Sequence, residues 1–412
     1  MERNDPRYQA YVEILKEELI PAMGCTEPIA LAYAAAKARE VLGVLPDSVQ
    51  LQVSGSIIKN VKSVIVPNTG HLKGMEAAVA AGIIAGSAEK ELEVISEVSE
   101  EKKSAIRDYL QTVPITIEHT EQGHVFDIVV TERCGQDYAR VRIADYHTNI
   151  CRIEKNGTVL YEVPLLDETV QEDARADRSL LNMQDIWDFA ETADLRDVAD
   201  LLERQIRYNN AIAEEGLLGD YGANIGRVLL TTYGNDVSNR AKAKAAAGSD
   251  ARMNGCELPV IINSGSGNQG ITCSVPLIEY AKELHSGKEK LYRALIISNL
   301  VAIHEKTGIG TLSAYCGAVS AGAGAGAGIV YLCGDGYQAA IHTVVNALAI
   351  VSGIVCDGAK ASCAAKIASS VDAALLGYNM YKCNQEFKGG DGIVMKDIET
   401  TCLLYTSDAA DE

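Results

Sequence analysis

A chain of 412 residues, 47% hydrophobic and 23% charged, has the composition of a globular protein long enough for two domains. Its 37 basic against 56 acidic residues leave a formal net charge of −19, which excludes the basic surface a nucleic-acid partner needs. Eleven cysteines, an odd number scattered along the chain, do not form a secreted disulfide framework and read as reduced thiols of a cytoplasmic protein. The N-terminus mixes charges of both signs and lacks the apolar stretch of a signal peptide.

Residues 5–20 carry apolar and charged positions at helical spacing and stop at Pro21. Pro21-Ala22-Met23-Gly24-Cys25-Thr26-Glu27-Pro28 then forces a break, followed by an alanine-rich helix expected to end at Leu42. A cysteine at such a break, beside a helix N-terminus, would have its thiol pKa lowered by the helix dipole. The plain alternative is a buried cysteine in a corner between helices.

Period-two alternation at Val49, Leu51 and Val53 predicts a strand, which Ser54-Gly55-Ser56-Ile57-Ile58-Lys59-Asn60 interrupts as a loop. Small hydroxyl residues beside glycine let backbone N–H groups approach an anion, although a plain loop explains them too. Helices are expected at 72–87 and 98–112, and strands at 113–118, 124–131, 138–145 and 149–154. Asn156-Gly157 marks a hairpin turn. Asp167 to Arg178 is charged and reads as a linker.

Beyond it the chain turns helical, with amphipathic helices over Leu180 to Ala190 and Val198 to Glu215, a glycine-rich turn from Gly216 to Gly226, and an alanine-rich segment at 236–251. The turn has neither Walker nor Rossmann spacing. Asn263-Ser264-Gly265-Ser266-Gly267-Asn268-Gln269-Gly270 is a donor-rich loop suited to gripping a small carboxylate at a helix start. Helices follow at 275–284 and 289–304, ending in His304-Glu305-Lys306, which either assists proton transfer or is a solvated helix end. Tyr337 to Val355 has no Asp, Glu, Lys or Arg and has the length of a membrane span. His342, Thr343 and Asn346 within it favour a helix buried in a large soluble domain.

Tyr315-Cys316-Gly317 opens a small-residue stretch that continues as AGAGAGAG from Ala321 to Gly328, and Cys356-Asp357-Gly358-Ala359-Lys360-Ala361-Ser362-Cys363 follows later. Three thiolates converging there could hold an iron–sulfur cluster with one iron left open. Free cysteines are also common in buried helices, and Cys273 is a rival third ligand. The alternating glycines would let helix backbones approach closely.

With Gly24-Cys25-Thr26-Glu27-Pro28, the Ser54–Asn60 segment, the Ser264–Gly270 loop and Cys316, Cys356 and Cys363 in this order, the chain resembles the L-cysteine desulfidase family. It is more distantly similar to the iron–sulfur L-serine dehydratases. The resemblance implies a [4Fe-4S] cluster held by Cys316, Cys356 and Cys363, with Cys25 as proton acceptor. The short gap from Cys356-Asp357 to Cys363 follows the desulfidase pattern. The implied reaction is β-elimination of L-cysteine to sulfide, ammonia and pyruvate, with iron as Lewis acid and Cys25 as base. Ser54, Ser56, Asn60, Ser264, Ser266, Asn268 and Gln269 are the candidates for clamping the substrate carboxylate. Serine dehydration is the alternative reaction, and a non-catalytic iron–sulfur redox sensor the alternative class, which would need no such clamp. A pyridoxal phosphate enzyme would need a Schiff-base lysine beside a phosphate loop, and none is found.

The expected architecture is α+β: a largely helical catalytic domain of residues 1–45 and 167–400 carrying the cluster, with an α+β sheet module at 46–166 inserted. Cys402 to Glu412 does not resemble the family's C-terminus and reads as a non-native tail. The expected partner is a small amino-acid substrate, with no nucleic acid and no membrane, and a homo-oligomer is left open. The mechanism requires Cys25 to meet the three later cysteines in space.

Overall fold

The computed structural model describes residues 1–120, 124–163, 175–309 and 314–406. Helix α1 (Pro6–Glu18) starts on Asp5, whose side chain accepts from the Arg7 N–H, with proline in the first turn. Its Tyr8 and Tyr11 meet Phe189 of α6 (Met183–Thr192) edge to face. That contact pins the start of the chain to the helical part of the molecule. Strand β1 (Pro21–Met23) then pairs antiparallel with β8 (Pro259–Ile261), so two segments far apart in sequence meet in one ribbon. Each leads into a helix, β1 into α2 (Thr26–Leu42) and β8 into α10 (Gly267–Glu283).

Strands β2 (Ser48–Val53), β3 (Ile115–His119), β4 (Asp127–Cys134), β5 (Asp137–Ala144), β6 (Ile150–Lys155) and β7 (Thr158–Glu162) form one six-stranded sheet in the order β3-β2-β4-β5-β6-β7. Only the β2–β3 pair is parallel. The alternation of β2 is realised: Val49, Leu51 and Val53 are buried and the residues between them are half-buried. Asn156 and Gly157, both at positive φ, make the tight turn between β6 and β7. Helix α2 packs on β4 and β5 and on α4 (Met75–Ala85). Gly82 makes this approach possible, since a methyl group there would lie 2.1 Å from the Ala32 carbonyl oxygen. The first 45 residues thus divide, with α1 and β1 on the helical body and α2 on the sheet.

The helical body comprises α6, α7 (Ala199–Leu218), α8 (Ile225–Tyr233), α9 (Val237–Met253), α10, α11 (Lys288–Ile309), α12 (Gly317–Cys333), α13 (Tyr337–Val351), α14 (Cys363–Lys382) and α15 (Ile398–Thr406). At its centre α12 packs against α10, α11, α13 and α14. Its glycines form two rows on different faces, each of two glycines about one helical turn apart. Methyl groups at Gly322 and Gly326 would lie 2.8 Å from Ser370 and from Ala374 of α14. At Gly324 and Gly328 they would lie 2.4 Å from the Ser298 carbonyl and 2.8 Å from the Ala294 carbonyl of α11. The AGAGAGAG run is therefore a packing device that seats α12 deeply between two neighbours.

The structure corrects several boundaries. Ser54 to Asn60 is no loop: Gly55–Val61 is a short helix, α3, because Ile57, Asn60 and Val61 bury one face against the interior. The donor-rich loop is shorter than expected, since α10 begins at Gly267 and takes Asn268 and Gln269 into its first turn. Gly216 lies inside α7, where its missing side chain lets the backbone touch Ala247 of α9. The linker from Asp167 lies partly outside the described residues, but Arg175 and Arg178 at its end pair with Glu17 and Glu18 of α1. Among the described residues no helix is long and apolar enough to cross a membrane, and Tyr337–Val351 buries Ala339, Ala340 and the run from Thr343 to Leu348 while its ends stay partly exposed.

Candidate functional site

Cys25 stands at the corner between β1 and α2, as the residue that caps the helix. Gly24 before it has φ +61, and a methyl group there would lie 2.7 Å from Pro67 Cγ, so only glycine makes this corner without strain. The corner turns Cys25 inward, where it is 2% exposed. Its Sγ donates to Glu27 Oε2 at 2.9 Å, and Asn60 Nδ2 of α3 donates to Glu27 Oε1 at 3.1 Å. Thr26 Oγ1 reaches the Gly265 carbonyl at 3.0 Å, which ties the corner to the donor-rich turn.

Burial and the neighbouring Glu27 carboxylate push the Cys25 thiol well up, against a smaller opposing pull from Arg252. The lowered thiol pKa expected at this helix start is therefore overturned, because desolvation and an adjacent anion outweigh the helix dipole. Glu27 moves the other way. Burial raises it, but His147, the Cys25 thiol and Arg252 together hold it below the usual carboxylate value. Burial holds His147 down although Glu27 opposes this. The site sets a thiol held up against a carboxylate held down.

Cys316 caps α12, and an isolated bridge between Tyr315 and Val355 sets it beside Cys356. The Cys316 N–H donates to the Ile354 carbonyl at 3.1 Å and the Cys356 N–H to the Ala314 carbonyl at 2.6 Å. Cys363 opens α14. Burial pushes the Cys316 and Cys363 thiols up; Cys356 raises both further, while the Lys366 charge opposes it. The three thiols therefore lie within electrostatic reach of one another. Among the described residues, no three His, Cys, Asp or Glu side chains converge as the shell of a single metal ion.

Helix α3 links the two groups. Lys59 Nζ donates to the Cys356 carbonyl at 3.4 Å, and a methyl group at Gly358 would lie 2.5 Å from the Lys59 carbonyl. The next residue, Asn60, holds Glu27. On the far side, a methyl group at Gly317 would lie 2.5 Å from Gln269 Cδ, so the first turns of α10 and α12 touch. A closed circuit results: Cys25 to Glu27, Asn60 and Lys59 to Cys356, Cys356 to Cys316, Gly317 to Gln269, and Gly265 to Thr26.

The clamp candidates occupy different stations. Asn268 Oδ1 and Gln269 Oε1 are buried without a hydrogen-bond partner among the described residues, and Ser56 is half-buried on α3. Ser54 Oγ donates to the Val125 carbonyl at 2.7 Å and so fastens the start of α3 to the sheet. Ser264, at φ 47, sits in a tight turn and donates to Asn263 Oδ1 at 2.9 Å, while the Ser266 backbone exchanges hydrogen bonds with Asn263. Cys273 lies further along α10 among Ala302 and Ala321, and burial pushes its thiol up to about 12. His304 turns to Glu399 at 2.8 Å, whereas Lys306 on the same helix faces the cysteine pair. Burial holds Lys306 down to about 8, although Cys356 and Cys316 pull it up. Two site residues escape the sequence reading, His147 and Arg252. The first is one histidine beside a strand and the second one arginine in an alanine-rich helix, and neither carries a motif.

A helix-rich α+β protein with cysteines at three helix starts, one of them on a buried carboxylate, is the class these elements define. The chain belongs to the family described as the serine dehydratase alpha chain, whose model matches residues 89–410. It is 62% identical over 401 residues to a UPF0597 protein of Desulfitobacterium hafniense, covering 97% of this chain and 93% of that one. A UPF0597 protein of Lachnoclostridium phytofermentans is 53% identical over 394 residues, covering 96% of this chain and 94% of that one. One of Treponema denticola is 47% identical over 406 residues, covering 97% and 94%. The family match includes Cys316, Cys356, Cys363 and the Ser264–Gly270 segment, while Cys25 precedes it.

Proposed function

We propose that this protein is a lyase that eliminates sulfide from L-cysteine, giving ammonia and pyruvate, with Cys25 as base. The observation that carries this reading is the closed circuit of contacts that brings the Cys25–Glu27 pair, across α3, to Cys356 and Cys316. The donor set fits a [4Fe-4S] cluster. Cys316, Cys356 and Cys363 are soft donors whose charges act on one another, which is the donor type such a cluster takes. Cys316, Cys356 and Cys363 would hold it, and it would supply a Lewis-acid iron for the leaving group.

The chain's own residues would move the proton. The Cys25 proton passes to Glu27 along the existing hydrogen bond, which leaves a thiolate. The thiolate then takes the Cα proton of the substrate. The Cα–H electron pair becomes the Cα=Cβ bond, the Cβ–S bond breaks with its pair on sulfur, and the proton on Glu27 is available to the departing sulfide. Aminoacrylate tautomerises to the imine and hydrolyses to pyruvate and ammonia. A thiol with a raised pKa suits this step, because the Cα–H is a weak acid and needs a strong base. Its small thiolate population is the corresponding cost.

The family's description favours serine as a second substrate, with hydroxide leaving in place of sulfide. Anaerobic reconstitution with iron and sulfide, followed by assay of sulfide and pyruvate from L-cysteine and of pyruvate from L-serine, compares the two through kcat/KM. Cys25→Ala is expected to keep the brown cluster and lose product. A stable cluster with turnover of neither amino acid would sink the lyase reading.

A further inference from the structure

Arg252 lies in the last turn of α9 in the interior, 2% exposed, with its Nε lacking a hydrogen-bond partner among the described residues. A buried cation with no carboxylate hydrogen-bonded to it is costly, and it persists where an anion completes the site. Its position is defined from several sides. A methyl group at Gly267, the first residue of the 17-residue α10, would lie 2.3 Å from Arg252 Nε, so the guanidinium lies against that helix start. Its charge acts on Cys25, Glu27 and His147, and also on Cys363. The nearby carboxylate, Glu27, is already engaged by Cys25 and Asn60. In the first turn of α10, Asn268 Oδ1 and Gln269 Oε1 are buried and have no partner among the described residues, and turning either amide over would present N–H donors instead.

We propose that Arg252 and the first turn of α10 form the seat for the α-carboxylate of a free amino acid. A guanidinium and a helix N-terminus are each matched to a carboxylate, and here two independent features meet at one place. Placed there, the substrate's carboxylate sits on the guanidinium whose charge acts on both Cys25 and Cys363, and that positive charge stabilises the negative charge that builds when the Cα proton leaves. A cysteine inside a peptide has no such carboxylate and would be rejected. The assignment rests on the lyase reading for the identity of the ligand, but not for the presence of an anion seat.

The test separates binding from turnover. The reconstituted holoenzyme is titrated calorimetrically with L-alanine, which has the carboxylate but no leaving group, and with L-alaninamide, which has neither. Wild type is expected to bind L-alanine at least 10-fold more tightly than L-alaninamide. Arg252→Met should abolish that preference with cluster absorbance unchanged, and Arg252→Lys, which keeps charge and length, should weaken L-alanine about 10-fold. Gln269→Ala should weaken it less. If Arg252→Met does not fold, Arg252→Lys decides, and unchanged L-alanine affinity in that variant overturns the seat. L-alanine binding that depends on Arg252, without turnover of cysteine or serine, would retain the seat and reject the lyase. Turnover with alanine affinity indifferent to Arg252 would do the reverse.

Discussion

Glu27 takes the Cys25 thiol on Oε2 at 2.9 Å, with the Thr26 hydroxyl beside it at 3.3 Å, and the Asn60 amide on Oε1 at 3.1 Å. The amide fixes the carboxylate's orientation and the thiol is its proton partner. Glu27→Gln keeps the shape and removes the proton acceptor. The expected result is a fall in kcat of about 100- to 1,000-fold, with KM little changed and cluster absorbance intact. Because Glu27 helps push the Cys25 thiol up, labelling of Cys25 by iodoacetamide should begin at lower pH in this variant. Unchanged kcat would remove Glu27 from the proton path.

Alanine at Cys316, Cys356 or Cys363 should each abolish the brown chromophore after anaerobic reconstitution, as measured by visible absorbance and bound iron. Cys273→Ala should keep it. That thiol is walled in by Ala302 and Ala321, so its loss removes only packing, about 1 kcal/mol in a denaturant melt. A colourless Cys273→Ala would make Cys273 a ligand.

Asp250 on α9 is buried, accepts the Ile225 N–H at 2.7 Å, and has its pKa pushed up to about 6, chiefly by burial. An acid whose folded pKa exceeds its unfolded value binds more protons when folded between the two. Stability therefore falls as pH rises from about 4 to about 6, by roughly 3 kcal/mol at most, and stays lower above that. Asp250→Asn should flatten this window. Melting curves of both proteins at pH 4.5 and 7 should show the variant's disadvantage shrinking, or reversing, at the higher pH. A constant difference across pH would show that Asp250 does not titrate in this range.

Gly324→Ala tests the glycine ridge. Alanine gains about 1 kcal/mol of helix propensity, but its methyl group would sit 2.4 Å from the Ser298 carbonyl of a packed neighbour. Overpacking of this kind costs about 1–3 kcal/mol, and a backbone atom yields less readily than a side chain, so net destabilisation is expected in urea unfolding. Gly336→Ala, with nothing within 4 Å, should cost under about 1 kcal/mol. Equal effects at both positions would mean that α12 is less tightly seated than its contacts indicate.

Much of this molecule is legible in its amino-acid order, for local reasons. The alternation of Val49, Leu51 and Val53, the Asn156-Gly157 turn, the breaks at Pro21 to Pro28 and the alanine-rich helices depend on neighbours a few residues away, and chain periodicity reports them. The GCTEP, Ser-Gly and cysteine segments are recognisable for the same reason. The sequence misleads where a short segment is polar in appearance yet has one buried face, as at Ser54 to Asn60, or where a loop is absorbed into a helix, as at Gly267. Tertiary structure decided the rest. Pairing of β1 with β8 carries Cys25 to the donor-rich turn, and the Tyr315–Val355 bridge sets Cys316 beside Cys356. The protonation of Cys25 and the role open to Arg252 depend on the charges and burial around each group. Those are properties of three-dimensional surroundings, drawn from segments hundreds of residues apart, and no local pattern encodes them.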